Sequence, residues 1–218
     1  MSVLHWLDFG EGSTFNGVTG PRDITVDGLV DVSVTGDILS QGSEIFVRQF
    51  SHYIAGGEAF DPLSTIKIYS GGIDDNTSGP SFDAASLCIE FGDDTDPVAP
   101  IAENVSFRIS SLGGDGFVGE ETVYVRAYDK FGNEVSVTAT AGSNVTVNAV
   151  DDEYIGGADV VFTGSASGSV LFEISDAVAK IEVIYANQDE PSGDQFAIVS
   201  DIHFDITEPE EDHFSFPS

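Results

Sequence analysis

"ETVYVRAYDKFGNEVSVTATA", residues 121–141, is the stretch that decides the fold. It predicts a long β-hairpin that turns at residues 129–133, where Asp, Gly and Asn follow one another closely. "DITVDGLVDVSVTG", residues 23–36, repeats this pattern with two alternating runs around Asp27 and Gly28, a pair suited to a type I′ turn. The alternation of apolar and polar residues indicates strands with one buried face.

Similar runs recur about a dozen times, from "HWLDFG" (5–10), where we expect the first strand, to "FAIVSDIHFDI" (196–206). Helix signals are nearly absent. Many short antiparallel strands separated by turn residues are typical of a sandwich or barrel. We therefore predict an all-β protein, an antiparallel β-sandwich of the jelly-roll type.

The chain of 218 residues suits one large β domain. The loops at 71–83 and 92–100 are long, but strand patterning resumes directly after each, so neither is a domain linker. We predict a single sandwich domain over residues 1–206. Residues 207–218, which are acidic and contain two prolines, are expected to form a frayed or extended tail.

The charge is strongly acidic, with 38 Asp and Glu against 7 Lys and Arg and a net charge of −31. Such a surface repels phosphates, which excludes nucleic acids and anionic membranes as partners. Three explanations stay open: a solvated surface in a salty habitat, carboxylates for Ca²⁺, or a partner with a basic surface. The single cysteine, Cys88, excludes an internal disulfide and Cys-based zinc or redox motifs.

The location is inferred from missing signals. No apolar run is long enough to span a membrane, and the start of the chain has neither the basic nor the apolar region of a Sec-type signal. The protein is therefore expected either to stay inside the cell or to leave by a route that needs no N-terminal signal. We favour an extracellular location, at a cell surface or a virion surface.

No catalytic motif is visible. The chain has no Gly-x-Ser-x-Gly, no His-Glu-x-x-His, no phosphate loop and no dinucleotide fingerprint. A glycosidase needs only two carboxylates, and among 38 acidic residues such a pair can exist without leaving a pattern. We predict that the protein is not an enzyme, with a glycan-active hydrolase as an alternative.

Calcium is the metal that the composition favours, because Ca²⁺ binds carboxylates and loop carbonyls. The densest cluster is Asp93, Asp94 and Asp96 in "GDDTDP", although this composition produces Asp pairs by chance as well. Neither the spacing of an EF-hand nor a nonapeptide repeat is present. Structural Ca²⁺ is therefore an expectation without a motif.

"SDIHFDI", residues 200–206, offers a second place for this ion. Alternation puts Ile202, Phe204 and Ile206 on a buried face and leaves Asp201, His203 and Asp205 on the other. If the two terminal strands pair, Asp8 and Glu11 come near the two aspartates and can share an ion with them. The alternative is an outward polar face of an edge strand. His203 has no second histidine at a spacing that suits a transition metal.

Sugar binding requires exposed aromatic rings together with polar side chains. The single tryptophan, Trp6, is expected in the core. Tyrosines near strand ends are better candidates, although rim tyrosines often serve only as caps. The candidate ligand-binding residues are Tyr154, Tyr185, Asn187 and Asp189.

Three stretches resemble those of a known group of proteins: "LDFGEG" (7–12), "VSFRISSLGGDG" (105–116) with the hairpin above, and the segment from "ISDAVAKIEV" to "SDIHFD" (174–205). They resemble jelly-roll modules of marine proteobacterial surface and type I-secreted proteins, which are similar to carbohydrate-binding and galactose-binding-like domains. The resemblance implies a sandwich without catalysis, often with a Ca²⁺ that joins the first and last strands. The nonapeptide repeats of the secreted proteins are missing.

We therefore predict a glycan-binding or adhesion module of a cell or particle surface, with a glycan or cell-surface polysaccharide as its partner and Ca²⁺ as a stabilising ion. Insertion into a membrane is not expected, and a homo-oligomer or neighbours in a particle are possible partners. The alternative is a structural, decoration or spike protein of a virion or gene-transfer particle.

Overall fold

The structure is a computed structural model that describes residues 1–16, 20–38, 43–71, 83–92, 101–113, 121–148, 153–157, 159, 161–187 and 194–207. The described chain contains sixteen strands rather than about twelve. They are β1 (Ser2–Leu4), β2 (Arg22–Val26), β3 (Val30–Ile38), β4 (Glu44–Arg48), β5 (Thr65–Gly71), β6 (Asp83–Phe91), β7 (Ile101–Ser110), β8 (Glu121–Tyr128), β9 (Glu134–Val135), β10 (Thr138–Ala141), β11 (Val145–Asn148), β12 (Glu153–Gly156), β13 (Val170–Ile174), β14 (Lys180–Asn187), β15 (Asp194–Ser200) and β16 (Ile202–Thr207).

The strands form two antiparallel sheets of eight strands each, which we name sheet A and sheet B. Sheet A has the order β1-β16-β7-β15-β5-β4, and β13 and β10 continue it from β7. Sheet B has the order β11-β12-β8-β14-β6-β3-β2, with β9 beside β8. The predicted all-β antiparallel sandwich is confirmed.

The core lies between the sheets and is made by the alternation seen in the sequence. In β3, Val30, Val32 and Val34 are buried, while Asp31 is exposed. Because side chains of a strand alternate between two faces, a run such as this one can cover a core on one side only. Aromatic rings fill the middle of the sandwich, where Phe107 stacks on Phe172 with ring centroids 5.3 Å apart.

The turns form where local chemistry predicts them. Asp27 and Gly28 both have positive φ, at 54° and 69°, as a type I′ turn requires. At the tip of the β8–β9 hairpin, the Asp129 carboxylate accepts hydrogen bonds from the backbone N–H groups of Phe131 and Asn133, each at 2.8 Å. An aspartate that bonds to its own turn in this way replaces backbone hydrogen bonds that the turn cannot make.

The start of the chain differs from the prediction. The first strand is Ser2–Leu4, and "HWLDFG" instead contains a 3₁₀ turn over Trp6–Phe9. Trp6 is fully buried, as expected, and its indole N–H donates to the Ser200 carbonyl at 2.6 Å. The 3₁₀ turn thus places the indole N–H within hydrogen-bonding distance of the Ser200 carbonyl.

The terminal strands pair as predicted, with Val3 opposite His203 in an antiparallel register. Helical structure in the described residues amounts to two short 3₁₀ turns, Trp6–Phe9 and Ala166–Gly168, and none of it is long and apolar enough to cross a bilayer. The tail from residue 208 onward lies outside the described residues, so its frayed state stays a prediction.

Candidate functional site

The outward side of sheet A carries aromatic side chains on neighbouring strands. Ile45 and Val47 of β4 and Ile66 and Ile68 of β5 belong to the core cluster, so the residues between them point away from the core. Phe46 lies directly opposite Lys67, and Tyr69 directly opposite Phe196 of β15. These four side chains are all partly exposed.

The ammonium group of Lys67 lies among three of these rings. Its Nζ is 3.6 Å from the centroid of the Phe196 ring, 5.2 Å from that of Tyr69 and 5.8 Å from that of Phe46. Phe50, which is 36% exposed, meets the edge of Phe196 with centroids 6.0 Å apart. We call Phe46, Phe50, Tyr69 and Phe196, together with Lys67, the aromatic face.

A segment without strands, residues 49–64, connects β4 to β5 and crosses the outward side of sheet A; we call it the strap. Its Glu58 forms an ion pair with Arg108 of β7, in which Nε donates to Oε2 at 3.0 Å and Nη2 donates to Oε1. Arg108 also donates to Ser169 Oγ at 2.9 Å and lies over the Tyr53 ring. The strap is thus held to the sheet by a charge pair that is almost fully buried.

Burial alone would raise the pKa of the Glu58 carboxyl. The hydrogen bonds from Arg108 and from the Ala55 N–H, with the positive charge of Arg108, outweigh that effect and hold this pKa below its ordinary value. Glu58 is therefore an ionised carboxylate at neutral pH. This protonation state suits an anchor of the strap and does not suit a general acid, which needs a raised pKa.

The second anchor of the strap is the polar side of "SDIHFDI". Asp201 is fully buried and His203 is 5% exposed, so of the three polar side chains only that of Asp205 is open to solvent. His203 Nε2 lies 2.9 Å from Asp201 Oδ2, and the Asp61 N–H of the strap approaches the two Asp201 oxygens at 3.1 and 3.2 Å. Ile202 and Phe204 are buried in the core as predicted. The sequence did not reveal the strap that covers the polar side.

His52 of the strap has an unusual environment. It is 5% exposed, and neither ring nitrogen has a hydrogen bond of normal geometry to any residue that the structure describes. Burial lowers the pKa of His52, and the charges of Asp201 and Asp61 and the nearby carbonyls of Phe50 and Pro62 offset this only in part. The imidazole is therefore neutral and fills space under the strap.

The four residues predicted to share an ion at the chain ends do not come together. Asp8 and Glu11 are exposed, Asp201 is engaged with His203 and the strap, and Asp205 pairs with the Met1 amine at 3.2 Å. The pairing of β16 with β7 is irregular between His203 and Asp205, which takes Asp205 out of line with the other two polar side chains. In the described ranges no group of three His, Cys, Asp or Glu could hold a metal.

The other predicted calcium ligands, Asp93, Asp94 and Asp96, lie outside the described residues. Binding of Ca²⁺ by this chain therefore stays a prediction. It now falls on that segment rather than on the paired termini, because the structure gives Asp201 and Asp205 other partners.

The predicted sugar-binding tyrosines are corrected. Tyr185 is fully buried, and its hydroxyl donates to Glu121 Oε1 at 2.8 Å. Tyr154 is 5% exposed and packs edge-on against Phe172 at 4.9 Å. Both rings face the core because alternation in β14 and β12 puts them there, so neither can stack on a sugar. Asn187 is the last residue of β14, and Asp189 lies outside the described residues.

The aromatic face was missed at the sequence level. "EIFVRQF" (44–50) and "STIKIYSG" (64–71) are among the alternating runs, and their outward positions hold Phe46, Lys67 and Tyr69. The signal was available as aromatic residues at polar positions of the alternation. What the sequence did not supply was the register that puts them beside Phe196, some 130 residues away along the chain.

Comparisons with known proteins found distant structural similarity. No protein-family model and no curated protein matches the chain. One similar solved structure is the enzymatically active domain of tailspike protein 4 of bacteriophage CBA120, at 10% identity and a TM-score of 0.32, covering 80% of this chain and 19% of that one. Another is a glycoside hydrolase family 43 arabinoxylan arabinofuranohydrolase from Bacillus subtilis, in complex with cellotetraose.

The second structure has 12% identity and a TM-score of 0.29, and the match covers 76% of this chain and 24% of that one. This chain thus spans less than a quarter of either neighbour. Both neighbours are catalytic proteins, so the prediction that this protein is not an enzyme is wrong as it was argued: a missing motif in an all-β chain does not exclude catalysis. Likenesses this distant assign no activity to the chain.

Proposed function

We propose that the protein recognises a glycan and that the aromatic face is the surface that contacts it. The observation that carries the proposal is the set of partly exposed rings on three adjacent strands of sheet A, centred on Lys67. Recognition is a step that a glycan-binding module and a glycan-active enzyme share. The proposal concerns this step.

The chemistry of the face suits a sugar ring. The aromatic rings of Phe46 and Phe50 are partly exposed and offer apolar surface to the C–H groups of a pyranose, and Lys67 supplies a hydrogen-bond donor beside them. Binding sites for small ligands combine an apolar lining with a few placed polar groups, which is the composition found here. Strands β4, β5 and β15 hold the side chains on a rigid sheet, so little order has to be gained on binding.

The test is a glycan array followed by titration of the glycans that are retained, with the whole chain and two variants. We expect Phe46→Ala and Phe50→Ala each to weaken binding by roughly tenfold, because each removes stacked aromatic area from the ligand. Phe131→Ala is the matched control, because Phe131 is 77% exposed at a hairpin tip away from the face.

Two results contradict the proposal. The first is an array on which the native protein binds no glycan. The second is native affinity in both variants when their circular dichroism and melting show a folded protein, which would move the site elsewhere. Products released from the retained glycans are measured in the same samples, since the sequence leaves a glycan-active hydrolase as an alternative.

The location of the protein is also part of the proposal. A glycan-recognising surface serves at a cell surface or on a virion or gene-transfer particle, and the acidic chain is suited to neither nucleic acid nor anionic membrane. Fractionation of the natural source with an antibody against the chain tests this location, and recovery in the cytosol alone would contradict it.

A further inference from the structure

We propose that the aromatic face selects glycans with an anionic group, such as the carboxylate of a uronic acid or a sulfate ester, and that Lys67 binds that group. This inference rests on the proposed glycan recognition and adds the chemical class of the sugar. It comes from the position of the lysine within the face and from the charges around it.

The first argument is that the ammonium group is already ordered. A free lysine side chain loses rotamer entropy when it is fixed in one position, and this loss weakens binding. In this protein the rings of Phe196, Tyr69 and Phe46 hold Nζ in place within 5.8 Å of their centroids. A sugar that stacks on these rings brings its substituents next to a donor that needs no further ordering.

The second argument is a neighbouring cation. Arg48 is exposed at the end of β4, and its guanidinium lies 5.7 Å from the centroid of the Phe46 ring. Among the described residues no carboxylate forms an ion pair with Arg48. Glu44, the other charged side chain on the outward side of β4, is opposite Tyr69 at the far end of the strand. The anionic group is therefore expected on the Arg48 side of Lys67.

The third argument is how scarce positive charge is in this protein. The chain has 7 Lys and Arg against 38 Asp and Glu, yet two of the 7 flank Phe46, which is partly exposed. A neutral sugar gains little from this placement. An acidic sugar gains a charge-assisted contact, which is about twice as strong as a neutral hydrogen bond.

The net charge of −31 opposes the approach of any polyanion, so binding of an acidic glycan should depend on the salt concentration. Long-range repulsion acts over roughly 30 Å at 0.01 M salt and about 8 Å at 0.15 M, whereas contacts at the face are screened much less. Affinity for an acidic glycan should therefore rise as salt is raised from low concentration, in contrast to a basic protein that binds polyanions.

The experiment compares matched pairs of polysaccharides by titration at physiological ionic strength. Polygalacturonate and hyaluronan are each paired with their carboxyl-reduced, neutral forms, and a sulfated galactan is paired with its desulfated form. We expect an acidic member to bind about tenfold to a hundredfold more tightly than its neutral partner. Lys67→Met should abolish this difference, and Lys67→Arg should keep most of it.

Lys180→Met is the matched control, because Lys180 also lies over an aromatic ring, 4.6 Å from the centroid of Tyr128, but on sheet B. Equal affinity for charged and neutral members overturns the inference and leaves the glycan proposal intact. Binding of none of the six polysaccharides together with an empty glycan array overturns both. A preference for the anion that survives Lys67→Met in a folded variant overturns the role of Lys67.

Discussion

Arg108 and Glu58, 50 residues apart in the chain, form a two-contact ion pair that holds the strap against the outward side of sheet A. The guanidinium side chain is 7% exposed and the carboxylate side chain 15% exposed. Because both groups have lost most of their water, the loss of either partner would leave a largely buried charge without its counter-charge.

The first prediction concerns this pair. Glu58→Gln keeps one acceptor but removes the charge opposite Arg108, so we expect a loss of about 1–3 kcal/mol in the free energy of unfolding. A double-mutant cycle with Arg108→Met, followed by denaturant unfolding, should give a coupling energy above about 1 kcal/mol.

Lys180 and Glu182 provide the control for that cycle, because their side chains are 34% and 29% exposed. A pair this open to water is expected to couple by less than about 1 kcal/mol. Equal coupling energies for the two pairs would show that burial of the Arg108–Glu58 pair has no energetic consequence.

The second prediction is a pH dependence that arises from His52. Its pKa in the folded protein lies below the ordinary value of 6.5, so below that pH the unfolded chain binds a proton that the folded chain does not. The contribution of neutral His52 is fully present above pH 6.5 and is lost as the pH falls below it, at no more than about 1.4 kcal/mol per pH unit.

His52→Leu removes this titration and leaves the net charge at neutral pH unchanged. Unfolding by urea at several pH values between 7.5 and 5.5, for both proteins, measures the difference in slope, and protonation of the many carboxylates affects both proteins alike. The native protein should lose more stability over this interval. If the stability of the two proteins changes equally with pH, His52 does not cause the pH dependence.

Local sequence chemistry was sufficient for much of the fold. The Asp27-Gly28 turn and the Asp129 hairpin tip depend on backbone conformations and side-chain hydrogen bonds within a few residues, so both were predictable. The buried face of β16 was predictable for a similar reason, because Ile202 and Phe204 alternate with polar residues.

The site was not predictable in this way, because it depends on which strands become neighbours. Tyr185 is an exception, because the alternation of Lys180 and Glu182 with Ile181 and Val183 already puts it on the buried face. No local pattern, however, tells that Glu58 meets Arg108 or that Tyr69 meets Phe196. Contacts between distant segments are set by the global topology, which alternation does not encode.

The third prediction follows from the corrected position of Tyr185. Tyr185→Phe removes a buried hydrogen bond to Glu121, whose other oxygen accepts from the Gly113 N–H at 2.7 Å. We expect a loss of about 1–3 kcal/mol of stability and unchanged glycan affinity. Tyr128→Phe, which removes a longer and more exposed bond to Glu182, is the control. Weaker glycan binding by folded Tyr185→Phe would return this residue to the site.

The fourth prediction concerns Ca²⁺. A bound ion at about 100 times its dissociation constant would stabilise the folded state by roughly 2.7 kcal/mol, which melting with excess Ca²⁺ and with chelator detects. Combined substitution of Asp93, Asp94 and Asp96 by Asn should remove this gain, whereas Asp8→Asn should not, because Asp8 is exposed and belongs to no group of described residues that could hold a metal. A native melting temperature that chelator leaves unchanged contradicts the prediction of structural Ca²⁺.

The last prediction tests how closely the chain packs around β3. A Cβ atom on Gly36 would lie 2.5 Å from the Phe15 carbonyl oxygen and 2.9 Å from the Phe15 Cβ. Backbone cannot yield as the end of a flexible side chain can, and Phe15 is itself buried, with its N–H bonded to the Ile45 carbonyl at 2.8 Å. Gly36→Ala must therefore displace the segment before β2 from the edge of sheet A, at a cost of about 1–3 kcal/mol.

Gly56→Ala in the strap is the control, because nothing lies within 4 Å of the added carbon. Thermal unfolding of the two variants should show a clear loss for Gly36→Ala and a change within about 0.5 kcal/mol for Gly56→Ala. Equal melting temperatures would mean that the 12–15 segment is not packed against β3 as the structure has it.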